Sequence, residues 1–468
     1  MASQPVAAGD ASGTRPDGTS FSGHIGQTLM LGLPLAGAQL AQMSINVTDT
    51  ALIGRLGPEP LAAAVLAAQT FFLVWMFGAG FAQAVMPVAA AAAGRGDVPG
   101  IRRSVRMGLW VVLLYGALVM VPLWHTEAIL LALGQEPRVS ALAGAFMRIL
   151  QWSMFPALLL VTLRSYLGVL DRANVILAIT VFGAILNGAL DVVLIFGHLG
   201  APALGMAGAA YASVTANIAM ALIVFLYTWK APGLAAHELY VRFWRPDWQA
   251  FAEVLRLGWP ISTTIVAEVG LFAAASILMG WLGTIQLAAH GIALQLASIA
   301  FMIPLGLASA GTIRVGQAYG AEDWTGVGRA GTAALVLAVG IAFVGALFFW
   351  IIPEALISLY LDRNDPNAAA VLAFGAPLLF VAAAFQFVDG LQVVASGLLR
   401  GLKDTRIPML IALFSYWVIG MPVAYLLAFK LGFGGPGVWI GLASGLLCAA
   451  VLMTARFQAR ARLGLTPR

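Results

Sequence analysis

Four acidic residues interrupt apolar runs long enough to cross a bilayer: Asp49, Asp191, Glu268 and Asp389. An ionised carboxylate at mid-bilayer costs at least about 2.5–3.5 kcal/mol, so each must face a polar cavity, find a partner or bind a proton or cation. Two roles fit such an acid, reversible ion binding or a helix–helix hydrogen bond that only fixes packing. Asn187 and Asp191 stand four residues apart, hence on one face of a helix. Asp389 lies within Phe385-Gln386-Phe387-Val388-Asp389-Gly390, with Gln392 and Ser396 close by in sequence. Glu268 has Gln42 as its counterpart 226 residues earlier, in a chain that repeats itself at that offset. One copy therefore carries a neutral amide where the other carries an ionisable acid, which points to a coupling site in the C-terminal half.

Other polar and aromatic residues allow two readings each. His290 follows Leu287-Ala288-Ala289 and is either a packed, satisfied imidazole or a proton carrier. Pro34, Pro260 and Pro304 fall inside apolar helices, where a missing N–H frees a carbonyl and gives a static kink or a hinge. Arg314 and Arg400 close helices at the predicted cytoplasmic side, where long side chains snorkel to the interface. Trp75, Trp152, Tyr416 and Trp417 could stack on a cationic aromatic ligand, or anchor helices and pack. Cys448 rules out an intramolecular disulfide, being the one cysteine of the chain, and reads as a packed thiol. No GxxxxGK[ST] stretch, metal-ligand spacing or Gly-x-Ser-x-Gly elbow occurs. These absences predict no cofactor, no nucleotide and no nucleic-acid partner, and leave an ion gradient as the energy source if the protein transports actively.

The elements that must hold these residues are apolar helices. The chain is 61% hydrophobic and 10% charged, with a mean hydropathy of +0.92, where soluble domains carry about 25% charged residues. Lipid must cover that surface. Membrane-length runs fall near 27–54, 61–86, 104–124, 139–166, 175–198 and 205–230, then 253–282, 287–318, 329–352, 369–399, 407–431 and 436–457. The weakest stretch is 125–150. With both termini cytoplasmic, all but Arg55, Arg138, Arg148, Arg363 and Lys430 of the 25 lysines and arginines fall on the cytoplasmic side. That bias accounts for the basic balance without nucleic acid, since an anionic leaflet attracts it.

The repeat is ungapped over its first part. Leu31-Gly32-Leu33-Pro34 recurs as Leu257-Gly258-Trp259-Pro260, Gly80 as Gly306, and Gly94, Asp97 and Arg103 as Gly320, Asp323 and Arg329. Gly168 and Asp171 later fall opposite Gly401 and Asp404. Six helices per copy make the repeats parallel, related by an axis along the membrane normal. The predicted architecture is an all-α integral membrane protein of about twelve transmembrane helices in two pseudo-symmetric six-helix lobes. Its parts are a disordered cytoplasmic tail (1–22), an N-terminal lobe (23–230), a cytoplasmic link (231–252), a C-terminal lobe (253–458) and a basic tail (459–468). The start has neither the basic residues nor the short apolar core of a cleavable signal, so the first run serves as an uncleaved anchor.

Several segments resemble motifs of the multidrug and toxic compound extrusion (MATE) family. They are Val47-Thr48-Asp49-Thr50, Ala289-His290-Gly291-Ile292-Ala293, Arg314-Val315-Gly316-Gln317, Asp389-Gly390-Leu391-Gln392-Val393-Val394 and Gly397-Leu398-Leu399-Arg400-Gly401-Leu402-Lys403-Asp404-Thr405. The likeness runs from about 27 to 458 and is greatest to the NorM-like branch. It implies a V-shaped two-lobe fold in the bacterial inner membrane, acting as a monomer. It further implies alternating access and export of cationic amphipathic drugs in exchange for Na⁺ or H⁺. Glu268 and Asp389 would form the C-lobe cation or proton site, as Na⁺ ligands if sodium is the coupling ion, with Asp49 a further functional acid. Asn187 with Asp191 resembles instead an N-lobe pair of the DinF-like branch. The N-lobe residues Asn187, Asp191 and Gln42 are thus a second possible ion or drug site. A lipid-linked saccharide flippase of the same superfamily would need arginines lining its cleft to hold pyrophosphate, and a membrane-embedded enzyme would need a nucleophile–base pair or metal cluster. A passive channel would be expected to form from identical units.

Overall fold

A computed structural model describes residues 20–361 and 366–467. Those residues are helical, with no strand among them, and twelve of their helices are long and apolar enough to cross a membrane. The first six are α1 (Phe21–Gly54), α2 (Pro58–Gly94), α3 (Val98–Trp124), α4 (Pro137–Val169), α5 (Ala173–Phe196) and α6 (Met206–Lys230). The second six are α7 (Trp248–Leu282), α8 (Thr284–Gly320), α9 (Trp324–Ile351), α10 (Ala368–Gly401), α11 (Arg406–Lys430) and α12 (Gly434–Gln458). The helix number and all-α class expected from hydropathy are those observed.

The boundaries differ from the hydropathy windows for a local reason. An apolar window ends where lipid ends, but a helix continues until its backbone N–H and C=O groups find other partners. Thus α2 runs to Gly94 rather than 86, α3 starts at Val98 rather than 104, and α7 starts at Trp248 rather than 253. The repeat-paired Asp97 and Asp323 prove to be N-caps, accepting the N–H groups of Gly100 and Gly326. Hydrogen bonds from Gly326 and the Thr325 hydroxyl hold the Asp323 carboxyl below the usual carboxylate range. Of the predicted tail, 1–19 lies outside the described residues, while Ser20 caps α1 through Gly23. The weak stretch before α4 holds a short helix, Thr126–Ala132, and α4 itself is broken by a 3-10 turn at Gln151–Ser153.

The link between the halves is packed against the first. Leu234 and Leu239 are buried, and Arg106 donates to the carbonyls of Val241 (3.3 Å) and Arg242 (3.1 Å). Trp110 donates to Phe243 O at 3.1 Å, and Tyr166 meets His237 Nδ1 at 2.8 Å. Burial pushes the Tyr240 phenol up to about 12 and the His237 imidazole below its ordinary value.

Two cores form, one mainly from α1–α6 and one from α7–α12. Where they meet, contacts come in reciprocal pairs. Gly32 faces Leu307 and Gly258 faces Phe81; Ala36 faces Gly306 and Ser262 faces Gly80; Gly94 meets the Gln317 carbonyl and Gly320 that of Ala91. Each pair becomes the other on adding 226, the signature of a two-fold relation between self-complementary surfaces. A Cβ on Gly306 would stand 2.6 Å from the Gly32 carbonyl oxygen, so the crossing requires glycine. These contacts occupy the halves of α1, α2, α7 and α8 nearest the chain termini. In the far half of α1 and of α2, Ser44, Asn46 and Gln69 are exposed polar residues at membrane depth, which belong on a wet surface rather than on lipid.

Candidate functional site

The N-terminal half gathers three of the predicted residues. Asn187 and Asp191, one turn apart on α5, are fully buried. The Asn187 amide donates to Asp49 Oδ1 at 2.5 Å and to Asp191 Oδ2 at 2.9 Å. Ser213, from α6, donates to Asp49 Oδ2 at 2.8 Å, and the Asn187 amide bridges the Asp49 and Asp191 carboxyl groups. Two carboxyl groups gathered on one amide and largely away from water repel each other unless a positive charge sits between them, so this cluster could hold a proton or a cation. Asn187 Oδ1 and Asp191 Oδ1 remain unpaired and buried, additional oxygens for a cation or a polar ligand group. Gln42 does not join them: it lies half-buried two turns before Asp49 on α1, about 10 Å along the axis. Ser213 was missed because a serine in an apolar run carries no distinguishing spacing.

In the C-terminal half, Glu268 on α7 and Asp389 on α10 lie within electrostatic range of each other. Asp389 Oδ1 and Gln392 Oε1 are buried without partners. Tyr416 enters the same site from α11, fully buried, its hydroxyl unpaired and within electrostatic range of Glu268 and Asp389. It comes from a π-helical stretch, Phe414–Gly420, whose extra residue per turn re-aims side chains. Helical periodicity cannot foresee that. Glu268, Asp389, Gln392 and Tyr416 supply the oxygens that could hold a proton or a monovalent cation. Among the described residues no group of three or more His, Cys, Asp or Glu forms a metal cluster.

The remaining candidates separate. His290 is buried and held at both ring nitrogens: Trp439 Nε1 donates to Nδ1 at 3.2 Å, and Nε2 lies 3.1 Å from Ser276 Oγ. With Nδ1 accepting, the ring is neutral and structural. Trp75 packs against the N-terminal core, and Trp152 and Trp417 are exposed, so the four aromatics form no common cage. Neither arginine expected to snorkel does so. Arg314 donates to His24 O (2.6 Å), Thr28 Oγ1 (3.0 Å) and His24 Nδ1 (2.7 Å) on α1. Arg400 donates to Gln83 Oε1 on α2 at 3.3 Å. The reason is tertiary: at these helix ends the neighbour is the opposite half, and its acceptors substitute for water.

The MatE family profile matches residues 34–193 and 260–426, one match in each half. The chain is 56% identical over 438 residues to the probable multidrug resistance protein NorM of Rhizobium meliloti (strain 1021), covering 94% of each chain. It is 52% identical over 445 residues to the protein of that name from Agrobacterium fabrum, covering 95% of this chain and 96% of the other. The fold matches the crystal structure of MATE in complex with MaL6 with a TM-score of 0.86 at 21% identity, covering 94% of this chain and 97% of that one. A multidrug resistance MATE family transporter of the MOP superfamily in an outward-facing conformation matches with a TM-score of 0.85 at 22% identity, over 94% and 96%. The chain belongs to the MATE family of membrane transporters and is not an enzyme.

Proposed function

We propose that the protein is a secondary active exporter of cationic amphipathic drugs, driven by inward flow of H⁺ or Na⁺ through alternating access of its two lobes. The observation that carries this reading is the largely buried Asp49–Asn187–Asp191–Ser213 cluster, in which two carboxyl groups meet on one amide and are stabilised together only while a positive charge is shared between them. Glu268 with Asp389 is the second such acid pair, in the other lobe. A cation arriving from outside neutralises these acids and favours release of the cationic drug; a drug arriving from inside displaces the cation. Exchange then needs only that the two ligands favour different conformations.

The contacts that close the lobes at the end bearing the termini support an outward-facing state, with the exposed polar residues of the far half lining the route to the outside. The Lys/Arg bias supports cytoplasmic termini in a bacterial inner membrane, and the self-contained lobe pair supports a monomer surrounded by lipid. A lipid-linked saccharide flippase is disfavoured because Arg164, Arg314 and Arg400 are engaged with Gln39, His24 and Gln83 of other helices rather than free to hold pyrophosphate. The test is efflux of a fluorescent cationic dye from proteoliposomes under an imposed proton or Na⁺ gradient, with Asp49→Asn, Asp191→Asn, Glu268→Gln and Asp389→Asn. Antiport predicts that efflux follows one gradient and that at least one acid pair is required for that dependence. Efflux that follows neither gradient sinks the proposal.

A further inference from the structure

Beyond the Gly306–Gly32 crossing, toward the termini, α8 and α1 are joined by a polar contact between the lobes. Arg314 lies eight residues after Gly306 on α8, about 12 Å along the axis. Opposite it on α1 stand Thr28 and His24, four and eight residues before Gly32, both buried. Arg314 Nη1 donates to the His24 carbonyl at 2.6 Å and to Thr28 Oγ1 at 3.0 Å, and Nη2 meets His24 Nδ1 at 2.7 Å. A guanidinium carries only donors and keeps its charge in a protein. His24 Nδ1 is therefore the acceptor, and the contact exists only with the imidazole neutral. A protonated ring would set N–H against N–H and one cation against another.

Among the described residues, Asp171, in the turn before α5, lies within electrostatic range of Arg314. Asp323, the cap of α9, lies within range of His24 and of Arg329. Neither acid can sit inside a 2.7 Å contact to separate two cations there. The mate crossing, between α7 and α2, closes without any such group. Adding 226 to His24 and Thr28 gives Ala250 and Val254, and subtracting it from Arg314 gives Val88. Val88 and Val254 are buried, and the crossing is likewise close at Gly80 and Gly258. Closing the lobes thus does not require a hydrogen-bonded arginine. What Arg314 and His24 add is dependence on a proton.

We propose that His24 is a positioning residue that lets Arg314 latch α8 to α1 only while its imidazole is neutral. The inference rests on the alternating-access part of the antiport reading and on neither acid pair. With His24 neutral, the latch holds the lobes together at the end that bears the termini. A proton on Nδ1 expels the guanidinium, and the lobes part there. Acid on that side therefore holds the transporter open to it and slows its return to the conformation seen here.

The test measures the separation of α2 and α11 at that end by spin labels at Arg95→Cys and Arg406→Cys, both exposed positions, in a Cys448→Ser background. One proton excluded from an imidazole of ordinary affinity, about 6.5, should lower the wild-type near/far ratio about tenfold from about pH 7.5 to about pH 5.5. His24→Gln keeps a neutral acceptor and should hold the near population across that range. Arg314→Gln removes the cation that a protonated ring repels, so it too should lose the tenfold pH effect. Side-chain disruption alone would shift the ratio equally at both pH values and leave that effect in place. If His24→Gln keeps the pH effect, or Glu268→Gln or Asp49→Asn abolishes it, the acids titrate instead and the latch is refuted while the antiport reading stands. If a single distance persists in every variant, at both pH values and with dye present, the lobes do not rock and alternating access fails first.

Discussion

Replacing Gly306 by alanine tests whether the closed contact between the lobes is as tight as its reciprocal pairs imply. A Cβ there would stand 2.6 Å from both the Gly32 carbonyl oxygen and the Ala36 amide nitrogen, and 2.7 Å from the Ala36 Cβ. These are atoms of a helix backbone, which cannot turn aside as a side-chain tip can. Carbon-to-oxygen contacts need about 3.3 Å, so α8 and α1 must separate by roughly 0.7 Å at their crossing, an overpacking that costs about 1–3 kcal/mol. The cost falls only on the conformation with the lobes closed at this end, so the closed population should drop about 5- to 150-fold relative to any open one. Gly291 lies on the same helix with open space where its Cβ would be, and Gly291→Ala should add about 0.5–1 kcal/mol of helix stability without moving the equilibrium. The assay is the distance between spin labels at Arg95→Cys and Arg406→Cys, exposed positions at the ends of α2 and α11 nearest the chain termini, in a Cys448→Ser background, together with thermal unfolding in detergent for both variants. If Gly306→Ala gives the wild-type distance distribution and behaves like Gly291→Ala, the lobes do not meet in solution as they do here and the argument is wrong.

Removing the hydroxyl that holds Asp49, by Ser213→Ala, should slow gradient-driven efflux and lower stability by about 1–3 kcal/mol, read as a drop of several degrees in unfolding temperature; unchanged efflux would show that Ser213 is a bystander. His290→Leu should cost about 1–3 kcal/mol by stranding the buried Trp439 N–H, yet leave the pH profile of efflux unmoved. A shifted profile would restore His290 as a proton carrier. His237 accepts from Tyr166 in the neutral state and its value is depressed by burial. Its contribution to docking of the link is therefore present above about pH 6.5 and lost as pH falls toward the lowered value. Proteolysis of 231–247 should accelerate on acidification in wild type and lose that pH dependence in His237→Gln. Asp323→Ala removes the cap of α9 and should cost about 0.5–2 kcal/mol.

Span number, duplication and the acid positions were all legible in the linear chain, because each follows from local quantities. Hydropathy responds to lipid one residue at a time, a duplication keeps its offset, and an acid in an apolar run is conspicuous wherever the fold carries it. Gly32, Gly80, Gly258 and Gly306 could be paired by number alone, but that Gly306 rests on Gly32 and Ala36, and Gly80 on Ser262, is a fact about two surfaces meeting. Asp49 joins Asn187 and Asp191 across 138 residues of chain because α1 packs on α5. Gln42, on the same helix as Asp49 and with a sound claim by repeat, remains outside.

The same division explains the errors. Arg314 and Arg400 stand where isolated helices would send them to the interface, and the opposite lobe draws them inward by offering acceptors there. Tyr416, read from the sequence only as a stacking, anchoring or packing ring, stands in a π-helical turn within electrostatic range of Glu268 and Asp389. Local composition and spacing settle the solvent, the twelve spans, the doubled plan and which few ionisable groups stand in apolar runs. Which of those groups meet, that Arg314 and Arg400 both reach the opposite half, and which end of the molecule is closed were decided in three dimensions. Those properties depend on distances between helices remote in sequence, set by how closely glycine and alanine let their backbones approach.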